Sequence, residues 1–355
     1  MPHWIEQMEG LGSAPLTVQA QALSVSDIDP LNQLIHPVFF PEAPADSIDL
    51  QRIYELNTRY AADRREWGAR GRLIPQDTPK IDNLQMVPIE SYFKIGEYEM
   101  QKMMERTSGN GDLYKQLLAK DIPGRVNGLV GANYRRAEVD AMEAWAKGTI
   151  TAKNPQVGTT QVLSIGIDSS RIQTAGTAWN DGGTNAYNDL MAWLRDGEAV
   201  VGEISAVHLR QATFNAIQAD SPNPIPGAQT ALSPSRRLIE QVISDELGHP
   251  FRFLINERTV DVFDDGGTAV TSTKIWPAQY VAAVPASNVI GRTYKAPVVR
   301  GAELAAAFPD AGIDVQGMVV YHSTENEGRT AVVECQANWL PMPEERFVWT
   351  INAGV

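Results

Sequence analysis

Carboxylates and imidazoles set at metal-ligand spacing are the most specific chemical signal to look for, and this sequence carries one instance. Glu246 and His249 form an E-x-x-H, the spacing by which a helix presents a carboxylate and an imidazole to a di-iron centre. Such a centre needs two copies and two further carboxylates. Here there is one copy, and Gly248 and Pro250 interrupt the helix that would carry it, so the pair reads as a helix terminus. The five histidines, His3, His36, His208, His249 and His322, are scattered and contain no H-E-x-x-H, so no metal site is expected. Asp264 and Asp265 precede two glycines between β-rich runs, and Asp-Asp-Gly-Gly is accounted for as a tight hairpin turn without invoking a glycosidase or metal site. The single cysteine, Cys335, lies in the apolar alternation AVVECQANW. It can form neither an internal disulfide nor a cysteine cluster and reads as a buried, inert thiol. The glycine-rich GLVGAN has neither the G-x-G-x-x-G order nor a G-K-[ST] ending, and there is no G-x-S-x-G elbow or Cys-His signature. No catalytic residue, metal or cofactor is expected.

Composition narrows the partners. The chain has 355 residues, 43% of them hydrophobic and 21% charged, with a formal net charge of -13. The first fifty residues hold no Lys or Arg. Affinity for nucleic acid comes mainly from cations that release counterions from phosphates, so tight or sequence-specific DNA binding is not expected. No apolar run approaches the roughly 20 residues of a membrane helix. The start MPHWIEQMEG lacks the basic end and apolar middle of a signal peptide. A cytoplasmic product with no membrane partner is the expectation.

The elements available to position anything are unusual in their order. From Pro123 to Lys147, small or apolar residues recur at Val126, Leu129, Val130, Asn133, Ala137, Ala141, Ala144 and Trp145. This helical spacing predicts one long amphipathic helix over 123–147, with Arg135, Arg136, Glu138, Asp140 and Glu143 mostly off the buried stripe. Pro123 suits its first turn and Gly148 its left-handed end. Gly124, Gly128 and Gly131 weaken such a helix unless another backbone packs closely there. Residues 1–49 show neither period and read as an extended arm ordered by lying on something else. Residues from Asp49 to Lys94 interleave tyrosines and charges without a core of their own. They predict a projecting loop, expected to be mobile in a free subunit and ordered against a neighbour. Two short helices flank SGNG, GTITAKN and TQVLSIGID alternate as a hairpin, and further helices are read in AYNDLMAWL, ISAVHLRQATFNAIQAD and SPSRRLIEQVISDELG. Short β-rich runs close the chain. Helices in the middle followed by strands argue for an α+β architecture.

Four segments then resemble one family in order as well as pattern: RRAEVDAMEAWAKGTITA, AWNDGGTNAYNDLMAWL, IWPAQYVAAVPASNVIGRTYKAP and ANWLPMPEERFVWTINAGV. From about Asp49 onward the chain resembles the lambda-like major capsid protein E family of tailed bacteriophages, of the Hong Kong 97-type fold. That resemblance implies an N-terminal arm at 1–49 and an extended loop at 50–94. It further implies a peripheral domain at 95–171 with spine helix 123–147, an axial domain at 172–299, and a return to the peripheral domain at 300–355. It implies self-assembly through pentamers and hexamers into an icosahedral head shell that encloses double-stranded DNA, in a virion assembled in the host cytoplasm. Tyr54, Arg59, Tyr60, Arg64, Arg65 and Glu66 in the loop are the candidate intersubunit contacts. The partners implied are a separate scaffolding protein, a portal and a decoration protein. The fold's prototype crosslinks its subunits from a loop lysine; Lys80 stands in this loop, but lambda-like relatives hold together without the bond, and none is assigned. The alternatives are an encapsulin-like compartment of the same fold and an α+β enzyme.

Overall fold

A single helix, α4 in the order below, runs from Gly111 to Lys147 and spans about 55 Å at 1.5 Å per residue. It is longer than its periodicity predicts, because Pro123 lies inside it rather than in its first turn. The expected separate short helix after SGNG is therefore the first part of the spine. A proline removes one backbone donor. Around that point Arg125 pairs with Asp121 at 2.7 Å and also with Glu99 of the preceding helix. The far end is as expected: Gly148 has φ +68° and its amide bonds Ala144 O at 2.9 Å. A side chain there would meet Ile172 Cδ1 at 2.9 Å.

The computed structural model describes residues 13–23, 34–47, 49–54, 80–106, 111–154, 159–181, 184–221, 234–263, 270–325 and 330–355. In chain order the helices are α1 Ser13–Ala22, α2 His36–Phe39, α3 Glu97–Arg106, α4, α5 Ala186–Val201, α6 Gln211–Asp220, α7 Arg236–Leu247 and α8 Val299–Ala307. Two five-stranded sheets flank the spine. The first joins β1 Glu42–Pro44, β13 Gly291–Ala296, β15 Thr330–Pro343 and β14 Val319–Glu325, with β4 Ile89–Gly96 also paired to β15. The second has the order β7 Ile172–Thr174, β16 Thr350–Asn352, β12 Tyr280–Pro285, β8 Ile204–Leu209, β9 Arg252–Ile255. Three hairpins stand apart: β2 Asp49–Tyr54 with β3 Lys80–Gln85, β5 Thr149–Asn154 with β6 Thr159–Ser164, and β10 Thr259–Phe263 with β11 Val270–Lys274. The Asp264–Asp265 turn itself lies outside the described residues.

The spine is buried on more than one side. Ile122, Val126, Leu129, Val130, Tyr134 and Ala137 pack against β4, β14, β15 and α1. Further along, Ala141, Met142, Trp145 and Ala146 pack against Phe39, Phe40, Trp276 and the second sheet. This enclosure overturns part of the amphipathic reading: Glu138 and Asp140, assigned to the polar face, are 0% and 6% exposed. The glycine expectation fails within the subunit at two of its three positions. A Cβ at Gly124 or Gly128 would meet nothing within 4 Å.

Several boundaries move. The ISAVHL run is strand β8 rather than the start of a helix; its β-branched residues are buried in the second sheet. The arm is not simply extended, since α1 lies against β14 and β1 pairs in parallel with β13. The end of the expected loop, 89–94, is part of β4 in the first sheet. β13 also belongs to that sheet, whereas β16 sits in the second, so residues 300–355 contribute strands to both sheets. β15 runs through Pro341 and Pro343 without a break, opposite Thr293 and Gly291. Beyond Ala337 its only described strand partner is β13, which is where missing donors are tolerated.

Candidate assembly elements and their anchorage

The segment that carries the candidate contacts has its two ends paired with each other. Its stem is the β2–β3 ladder, in register from Asp49 opposite Gln85 to Tyr54 opposite Lys80. Leu50 and Leu84 seat the stem on a cluster containing Met86, Ile150, Ile165, Leu340 and Met342. Tyr54 therefore stands at the last described rung, beside Lys80. Arg59, Tyr60, Arg64, Arg65 and Glu66 lie outside the described residues.

Beside this stem, the end of the spine is stitched to the β5–β6 hairpin. Glu143 accepts from Thr151 N at 3.1 Å and Thr151 Oγ1 at 2.8 Å, and Arg136 donates to Thr151 O. Arg136 Nη2 also lies 2.6 Å from Asp140 Oδ1. That oxygen nonetheless has no aligned hydrogen-bond partner. Burial outweighs the attraction of Arg136 and pushes the Asp140 carboxyl up to about 6, from an ordinary 3.8. A carboxyl raised on folding contributes its full stability below its unfolded value and loses it as pH rises through the folded one. Asp140→Asn is accordingly expected to stabilise the chain at pH 7 by about 2–4 kcal/mol at 1.36 kcal/mol per pH unit. The gain should shrink to nothing near pH 4. Urea unfolding at both pH values checks it, and a loss of stability at pH 7 would refute it.

The most heavily engaged carboxylate joins three parts of the chain. Glu138 Oε2 accepts from His36 N at 2.8 Å and faces His36 Nδ1 at 2.8 Å, while Ile35 N donates to both oxygens. Arg258, just before β10, donates to Oε1 at 2.6 Å. Burial alone would raise this carboxyl. The hydrogen bond and charge of His36, the charge of Arg258 and the His36 amide prevail and hold it below the usual carboxylate range. Asn256 extends the chain of contacts to His208 Nε2 at 3.4 Å. His208 is stacked on Trp145 and set edge-on to Trp276, and burial followed by the nearby Arg258 charge lowers it to about 3, so it is neutral. This junction was invisible in sequence because its members are 102 and 120 positions apart.

The chemical candidates do not converge. Glu246 holds Tyr187 and Arg195, whereas His249 turns to Glu198 beyond the left-handed Gly248 that ends α7. Cys335 is buried, and burial pushes its thiol up to about 12, which suits the inert reading. Among the described residues, no group of three or more His, Cys, Asp or Glu is placed to hold a metal ion, and no helix is long and apolar enough to cross a membrane.

Compared by sequence, the chain matches no family model and no curated protein. Compared by structure, it is similar to a protein assigned as the capsid protein of an E. coli CFT073 prophage. The two are 11% identical, with 96% of this chain and 98% of the other covered at a TM-score of 0.57. The chain has the Hong Kong 97-type capsid fold. Also similar are a phage-related protein from Bordetella bronchiseptica RB50, 14% identical with 96% and 97% covered at a TM-score of 0.48, and a virus-like particle from Pyrococcus furiosus, 9% identical with 97% and 98% covered at 0.41.

Proposed function

We propose that this chain is the major capsid protein of a tailed phage, self-assembling through pentamers and hexamers into the icosahedral shell of the head. The end-to-end likeness to the prophage capsid protein carries the reading. The organisation of the subunit supports it. The β2–β3 ladder brings together the two ends of a long segment, and Tyr92, Tyr98, Val162, Val299 and Phe308 leave large apolar surface exposed. Repeated contact between copies covers such surface in a closed assembly. The extended loop, arm, peripheral and axial domains then play their usual structural parts, and Tyr54, Arg59, Tyr60, Arg64, Arg65 and Glu66 contact neighbours. A scaffolding protein, portal and decoration protein complete the head, which encloses DNA that the acidic subunit does not grip. The chain works as a structural virion component rather than an enzyme, assembled in the host cytoplasm.

Negative-stain microscopy of the purified chain, alone and with a scaffolding protein, is expected to show uniform hollow shells. Replacing Arg64 and Arg65 together by alanine should remove the shells while leaving subunit folding intact by circular dichroism. Only small oligomers from the unaltered chain under both conditions would refute the reading, and shells filled with a cargo protein would favour the compartment instead.

A further inference from the structure

The first sheet protects two of its outer strands, β4 and β14, by different means. On β4, Glu90 and Lys94 are exposed charges, which discourage pairing with another strand. β14, VVYHSTE, carries no formal charge before Glu325 when its histidine is neutral, and has neither Pro nor Gly. Such a run on an edge invites another strand. Helix α1 occupies that edge. Thr17, fully buried, accepts from Val320 N at 3.0 Å through its hydroxyl oxygen and donates to Val320 O at 2.8 Å. One side chain thus satisfies both backbone groups of the β14 residue that stands opposite Cys335, on the side away from β15. One turn on, Gln21 donates to Asp314 O at 2.7 Å and Met318 O at 2.9 Å, and accepts from Asp314 N at 2.9 Å. Leu16 and Ala20 fix the helix to the core beneath, and Gln19 ties it to Asn127 of the spine at 3.0 Å.

We infer that α1 is an intrachain plug whose Thr17 and Gln21 stand in for a missing strand, and that the partner it excludes is β14 of a second copy. Two identical edges can pair about a twofold axis with no further element, and the run before Glu325 sets no like charges against each other when its histidine is neutral. Only the frequency of such encounters rests on the capsid reading, through the many copies that assembly requires. The plug keeps the β14 edge out of contacts that lead to paired sheets instead of shells.

The test uses the full chain at dilution, with shells removed by sedimentation. In Thr17→Val combined with Gln21→Ala, amide exchange at Val320 should accelerate by at least about tenfold. Dimers should appear in sedimentation velocity where the unaltered chain and Thr17→Ser remain monomeric. Adding Ser323→Lys should abolish the dimers while exchange at Val320 stays fast. Unchanged exchange, fast exchange without dimers, or dimers that survive Ser323→Lys would each overturn the proposal. If the double variant does not fold, Thr17→Val alone preserves the side-chain shape and is read by the same measurements. Shell formation by the unaltered chain is scored separately, so its failure would count against the capsid reading and not against the plug.

Discussion

Glu138→Ala is expected to destabilise the subunit by about 3–5 kcal/mol, the range for removing one member of a buried ion pair. Glu138 is 0% exposed, and without it Arg258 loses its carboxylate while the Ile35 and His36 amides lose their shared acceptor. These groups belong to the arm, the spine and the base of the β10–β11 hairpin, so the damage should not stay local. Glu138→Gln keeps the shape and some acceptor capacity and should cost less. The pH dependence has a definite sign. A carboxyl held below its unfolded value of 4.5 contributes above that value and loses its contribution as pH falls through the folded one. The gap between the unaltered chain and Glu138→Gln should therefore be full above about pH 5 and narrow in more acidic solution. Urea midpoints across pH 3–8 measure it, and a gap that widens toward acid would refute the assignment.

Trp145→Ala should cost a comparable amount, about 3–5 kcal/mol for truncating a fully buried tryptophan. Its ring lies 5.2 Å from Phe39, 5.3 Å from His208 and 5.3 Å from Trp276. Its carbonyl also accepts from Thr350 Oγ1 at 3.3 Å. The arm, the spine, β8 and β16 thus meet around one residue, and the remaining rings cannot collapse into the space without moving the arm and elements of the second sheet. Denaturant unfolding together with near-ultraviolet dichroism reads both loss and loosening. A change below about 1 kcal/mol would show that the junction repacks.

Much of this architecture was legible because periodicity and punctuation are local. Trp145 and Gly148 marked the end of the spine, Asn185 caps α5 by accepting from Asn188 N at 3.0 Å, and the β5–β6 hairpin follows its alternation. The start of the spine misled because Pro123 fits a first turn on its own chemistry. Its place inside a longer helix is accompanied by the pairing of Arg125 with Asp121 one turn back and with Glu99 of α3. Glu138 and Asp140 followed the opposite path. Their type and spacing mark a solvated face, but Ile35, His36 and Arg258 close over Glu138 from far along the chain, while Asp140 is enclosed beside the Arg136 side chain that bonds Thr151. The loop candidates other than Tyr54 lie outside the described residues, so their part in assembly rests on the resemblance and on their chemistry. The arm's role on β14 had no signal at all, since a threonine that satisfies a strand edge looks like any other threonine in a short helix.

The position of β16 also bears on how the subunit is made. It comes last of all the elements in chain order, yet lies between β7 and β12, and β7 pairs with no other described strand. During synthesis from the N-terminus, Ile172–Thr174 must wait for Thr350–Asn352 before it gains its ladder. Closing so distant a contact is slow compared with forming local helices. The second sheet is therefore completed only after translation has passed both sheets, and a nascent chain cannot hold a finished fold early.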